Sequence, residues 1–194
     1  MVFMIYYCYS FYLLLMFSSV VSSSVLSLVA SFPVVAFSGG RSLVGPSLLA
    51  ARWLCSSSSP SSVLVGCAPG ADAVARFAFP AASVFSVVAG SGRGGFAARS
   101  VRVVRACAAG GGLWVSFPSS SCPAGLLPSS SSSRSFCGAG SGSWASLSFA
   151  VGSGVPCLVF LAPGTVPPVG WGFVALGSGW FVSRRPVAVQ SSLF

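Results

Sequence analysis

From Phe32 onward, short apolar runs alternate with glycine- and serine-rich breaks. Phe32 to Phe37 is apolar and runs into Ser38-Gly39-Gly40-Arg41, which predicts a buried strand ending in a glycine turn. Similar runs predict strands over Ser62–Gly66, Val84–Val88, Leu113–Phe117 and Val155–Leu161. Between them, Ser47–Cys55 after Pro46, Ala73–Ala78, Phe96–Ala109 and Gly142–Val151 have the spacing of helices. Strands that are apolar throughout and alternate with helices are the signature of βαβ units and a parallel sheet covered on both faces. The predicted class is α/β: a Rossmann-like, three-layer, open and mostly parallel sheet, with strand one central.

The flanks read differently. Residues 1–31 carry no charge, and Met1 to Phe17 is nearly continuous apolar and aromatic sequence. A membrane span needs roughly 20 mainly apolar residues, so this segment is a candidate membrane anchor. It lacks the basic start of a signal peptide, and the alternative is an extension upstream of the domain. Residues 118–141 form a Ser/Pro/Gly loop expected to be the least anchored part of the core. The Gly-, Pro- and Trp-rich stretch 163–194 reads as a C-terminal hairpin or loop beyond an α/β domain at 32–162.

Composition narrows the chemistry. Ten Lys+Arg, all of them Arg, face one acid, Asp72, for a net charge of +9, and His is absent. Imidazole catalysis, His-ligated metals and Ser/His/Asp or Cys/His machinery are thereby excluded. At 54% hydrophobic and 6% charged, the chain is too apolar for charge-rich disorder. Lys, Glu, His and Asn are missing, while Asp, Gln, Ile and Thr occur once each. All eight need adenine in their codons, which points to an adenine-poor coding strand. Either the frame arose by chance, or a gene under base-composition pressure uses Ser and Arg wherever a polar residue is required. Seven cysteines without a CxxC pair give no zinc, iron–sulfur or thioredoxin-like pattern, and read as reduced thiols of a cytoplasmic protein.

Candidate chemistry lies in the glycine clusters at the predicted strand ends: Ser38–Gly40, Gly66–Gly70, Gly90–Gly95 and Gly138–Gly142. Glycine lets backbone N–H groups approach a phosphate, and a helix N-terminus adds partial positive charge. None has the GxGxxG or GxxxxGK[ST] spacing. With Arg41, Arg93 and Arg99 nearby, their convergence on one sheet edge points to an anionic ligand.

The order of motifs resembles a family. Ser38–Arg41, the Gly66-Cys-Ala-Pro-Gly-Ala-Asp72 turn, Ala89 through Arg99, Trp114–Pro118 and Gly140–Ala145 are similar to the SLOG superfamily. That superfamily includes the DNA-processing protein A and Lonely-Guy phosphoribohydrolase families, and the resemblance spans about residues 33–162. It favours a genuine gene over a chance frame. It implies a nucleotide, nucleotide derivative or nucleic acid bound at the strand ends. Ser38, Gly39, Gly40 and Arg41 would take the first phosphate turn, and Gly66, Gly70 and Asp72 the second. Arg93 and Arg99 would stand beside them, while Gly140, Gly142 and Ser143 present the last helix to phosphate. The phosphoribohydrolase motif PGGxGTxxE has no counterpart here, because the chain lacks Glu. Asp72 is the only candidate acid, with capping of the following helix as its plainer role.

Three functions follow in order of support. The first is non-catalytic binding or sensing of a nucleotide-derived ligand, with no cofactor. The second is single-stranded DNA binding, through the net charge and the Arg99, Arg102 and Arg105 stripe. The third is a nucleosidase-type hydrolase using Asp72. Self-association is compatible with each.

Overall fold

The computed structural model describes residues 19–89 and 92–183. In chain order the elements are α1 (Ser19–Ala30), β1 (Val34–Gly39), α2 (Gly45–Ser57), β2 (Ser62–Gly66), α3 (Ala71–Ala78) and β3 (Ser83–Phe85). They continue with α4 (Gly92–Ala109), β4 (Leu113–Phe117), the short α5 (Ser132–Ser135), α6 (Gly142–Gly152), β5 (Cys157–Phe160), β6 (Phe173–Gly177) and β7 (Trp180–Ser183). The seven strands form one sheet in the order β3-β2-β1-β4-β5-β7-β6. Strands β1 to β5 run parallel, whereas the β6–β7 hairpin joins β5 antiparallel, making the sheet mixed.

Strand alternation divides the core into two layers. Val35, Phe37, Val63, Val65, Leu113, Val115, Leu158 and Phe160 face α1, α2 and α3 on one side. Ala36, Leu64, Trp114, Cys157 and Val159 face α4 and α6 on the other. Strand and helix alternate as the apolar runs predict, and β1 lies at the centre of the parallel strands.

Several boundaries differ from the sequence reading for physical reasons. β3 stops at Phe85 because β2 offers it only Leu64, Val65 and Gly66 as partners. Helix α4 begins at Gly92, ahead of the predicted start at Phe96, so part of the Gly90–Gly95 cluster expected to open the helix is itself helical. Helix α1 is no appendage: Val25 and Val29 are fully buried against the sheet, beside partly buried Val21, Leu26 and Leu28. No described helix is long and apolar enough to cross a membrane. The remainder of the proposed anchor, residues 1–18, lies outside the described residues. The hairpin assigned to the tail belongs to the sheet, with Trp180 packed between Phe117, Phe160 and Trp53 at centroid distances of 5.2–6.0 Å.

The 118–141 segment is also better anchored than its composition suggests. Leu126 is buried, Phe136 packs on Phe149, and Trp144 Nε1 donates to Ser120 O at 2.8 Å. Ser148 Oγ donates to Leu127 O at 2.7 Å. The segment thereby covers the outer side of α6, whose residues Ser143 to Ala150 are all buried.

The six described cysteines are free thiols. Burial pushes Cys55 and Cys107 up from the ordinary 9.0 to about 12, and pushes Cys157 upward as well. Each therefore holds its proton longer folded than unfolded, so its contribution to stability is complete below pH 9. That contribution is lost as pH rises from 9 towards 12. Stability measured by denaturant titration should fall steadily over that range, and Cys55→Ala/Cys107→Ala should flatten the fall. Val29→Asp should cost about 3–5 kcal/mol by placing an unpaired charge in the core. An unchanged denaturation midpoint would place α1 outside the cooperative fold.

Candidate functional site

Strand order reverses between β1 and β4: from β1 the chain moves outward to β2 and β3, then returns to β4 on the other side. The connections leaving β1 and β4 diverge there and leave a crevice beyond the carboxyl ends of the strands, where open α/β sheets bind ligands. A cleft of about 750 Å³ occupies this position.

Its first wall is the turn after β1. Gly40 N–H donates to Phe117 O at 2.9 Å, extending the β1–β4 pairing one residue beyond the strand. A Cβ on Gly40 would press on Ser119, which leaves β4 on the opposite lip. Ser38, Gly39, Gly40 and Arg41 all line the cleft, as expected. Arg41 is exposed at the rim, with its guanidinium carbon 4.3 Å from the centre of the Phe96 ring.

The floor is built on the only acidic side chain in the sequence. Asp72, in the first turn of α3, is 5% exposed. Its Oδ2 accepts from Arg99 Nη1 at 2.6 Å and from Ala68 N–H at 3.1 Å. Asp72 is therefore not the helix cap expected of it. Gly70 holds the N-cap position of α3 without a side-chain cap, and the Asp72 carboxylate instead ties the preceding turn to α4. Gly66 must lack a side chain, because a Cβ there would run into the Arg99 guanidinium. From another side, Arg76 Nη1 donates to Gly66 O at 2.6 Å.

Gly70 itself does not line the cleft. It has φ +73°, and a Cβ on it would strike Gly40 O, the carbonyl that accepts from Ala71 N–H at 3.2 Å. Its role is to let the second turn press against the back of the first. Gly66, Asp72 and Arg99 do line the cleft. Arg93 lies in α4, and its side chain is outside the described residues.

The far wall is the start of α6, where Gly140, Gly142 and Ser143 line the cleft. Ser141 is the N-cap but makes no side-chain capping bond to the helix, so the first-turn N–H groups have no side-chain partner from it. Its Oγ instead lies 2.9 Å from Ser143 Oγ. Ser146 Oγ sits 2.8 Å from Gly142 O and 3.3 Å from Ser38 Oγ, which links α6 to β1 beneath the cleft.

Three buried polar groups on this face have no hydrogen-bond partner: Arg99 Nε, Trp114 Nε1 and Ser116 Oγ. Trp114 lines the cleft, and Ser116 is paired in register with Ser38. Sequence reasoning missed Phe96, Trp114, Ser119 and Ser146. Phe96 could have been found as a large aromatic just after a glycine cluster. The others depend on contacts between distant segments.

Comparison with family models, with curated proteins and with solved structures finds no match to this chain.

The ion pair generates a direct prediction. Arg99→Met leaves a buried carboxylate without its counter-charge and should cost about 3–5 kcal/mol. Adding Asp72→Leu should restore much of that loss, as read from urea denaturation of the two single variants and the double. Additive losses would mean that the two side chains do not interact.

Proposed function

We propose that the chain is a Rossmann-like, SLOG-type domain that binds a nucleotide or nucleotide derivative without catalysis. The observation that carries this reading is the placement of the Gly39–Arg41 turn opposite the α6 N-terminus, across the crevice where strand order reverses. Backbone N–H groups and a helix N-terminus suit phosphate oxygens. Among the described residues lining the cleft, the charged side chains are Arg41, Asp72 and Arg99. Arg99 neutralises Asp72, which leaves Arg41 as the uncompensated charge. A phosphate between the two walls meets net positive potential and no repelling carboxylate. The volume of about 750 Å³ exceeds what a bare phosphate needs and suits a nucleotide-sized molecule.

The alternatives draw less support. As a hydrolase the protein would depend on Asp72, whose Oδ2 is already engaged by Arg99 and Ala68. As a single-stranded DNA binder it would lose Arg99 from the arginine stripe, since that side chain turns inward to Asp72. Arg102 is tied to Ser86 O.

A thermal-shift screen against mononucleotides, cyclic nucleotides, ADP-ribose and short single-stranded DNA tests the reading. A ligand at 100 times its Kd should add about 2.7 kcal/mol of stability. Arg41→Ala should weaken binding by roughly one to two orders of magnitude, the effect of one lost charge-assisted hydrogen bond. Its thermal midpoint without ligand should stay unchanged. Stabilisation by DNA alone would favour the second reading.

A further inference from the structure

We infer that Phe96 is the base-stacking platform of this cleft, and that Arg41 holds the place of the base until a ligand arrives. The inference rests on the nucleotide-binding reading above and assigns the ligand an orientation: ring at α4, phosphate at α6.

Phe96 stands near the start of α4, lines the cleft and is 36% exposed. Large aromatic side chains are normally drawn into a core, and an exposed one inside a cleft offers a flat apolar face to a ligand. Its surroundings are arranged for such a face. The Arg41 guanidinium carbon lies 4.3 Å from the ring centre and that of Arg99 5.9 Å from it. A Cβ built on Gly94, which also lines the cleft in the first turn of α4, would meet nothing within 4 Å, so the cleft is open at this end of the helix.

The two arginines differ in freedom. Arg99 is buried and bonded to Asp72, and so cannot leave. Arg41 is exposed and follows the Gly39–Gly40 turn, and among the described contacts its guanidinium rests on the ring alone. A planar guanidinium stacked on an aromatic face has the shape and π-contact of a nucleobase. A base that takes that face displaces it, and a phosphate at the glycine turn is a stronger partner for a guanidinium than a benzene ring. Binding thus exchanges one stacking partner for another while Arg41 moves to the phosphate. Ligands with both a ring and a phosphate gain twice, and a phosphate without a ring must still draw Arg41 off Phe96.

The test compares adenosine 5′-monophosphate with ribose 5-phosphate by calorimetry on the full chain. The wild type should prefer the nucleotide by about tenfold or more, the usual effect of one base stacked on an aromatic side chain. Phe96→Leu should bring the ratio close to one, and Phe96→Trp, which keeps a flat ring, should restore it. Arg41→Ala should weaken both ligands by a similar factor and leave the ratio unchanged, because with or without a base the guanidinium must leave the ring to reach the phosphate. Equal binding of both ligands by the wild type, or a preference that survives Phe96→Leu, overturns the platform and leaves the nucleotide cleft standing. Failure of both ligands to bind overturns the platform and the nucleotide reading together.

Discussion

Asp72 and Arg99 meet at 2.6 Å beneath Gly66, and no other acidic side chain exists in the chain to take the place of Asp72. The pair joins the β2–α3 turn to α4, two segments that share no backbone hydrogen bonds among those described. Removing either partner leaves a charge buried without its counterpart, so the turn and the helix hold their places together or not at all. The rest of the site inherits that constraint. α4 carries Phe96 to the cleft, and the turn braces Gly70 against the carbonyl of Gly40. The first glycine turn therefore keeps its shape because the second is pinned behind it.

A chain with net charge +9 must also satisfy guanidinium groups without carboxylates. Here backbone carbonyls at strand ends take part of that role. Arg76 donates to Gly66 O and Arg102 to Ser86 O, both at the carboxyl side of the sheet. Such bonds satisfy donors but do not cancel charge. Positive potential consequently persists around the strand ends, and with the α6 N-terminus it makes the cleft electrostatically suited to anions.

Much of the fold was legible because short valine-rich strands and glycine turns carry a local signal. The runs at Ser62–Gly66 and Leu113–Phe117 match β2 and β4 residue for residue. The glycine turn after β1 and the start of α6 were also read correctly as neighbours at one sheet edge. What escaped had no local signal. α1 has serine at the solvent-facing positions where a helix of ordinary composition carries Lys or Glu, so nothing marked that side, and it read as an apolar extension rather than as a core helix. The β6–β7 hairpin is fastened to the sheet by Trp180, whose aromatic partners Trp53, Phe117 and Phe160 come from three separate elements. Arg99 read as one of a stripe of helical arginines because its partner lies 27 residues earlier. For the same reason Asp72 read as a cap.

Whether the crevice between β1 and β4 holds the ligand can be read from amide chemical-shift mapping. During titration of the ¹⁵N-labelled protein with adenosine 5′-monophosphate, the largest shifts should fall at Gly39–Arg41, Phe96 and Gly140–Ser143. Those residues come from three segments that meet in this cleft. Shifts centred instead on the groove between α2 and α3, around Trp53 and Phe77, or no saturable shifts at all, would contradict that placement.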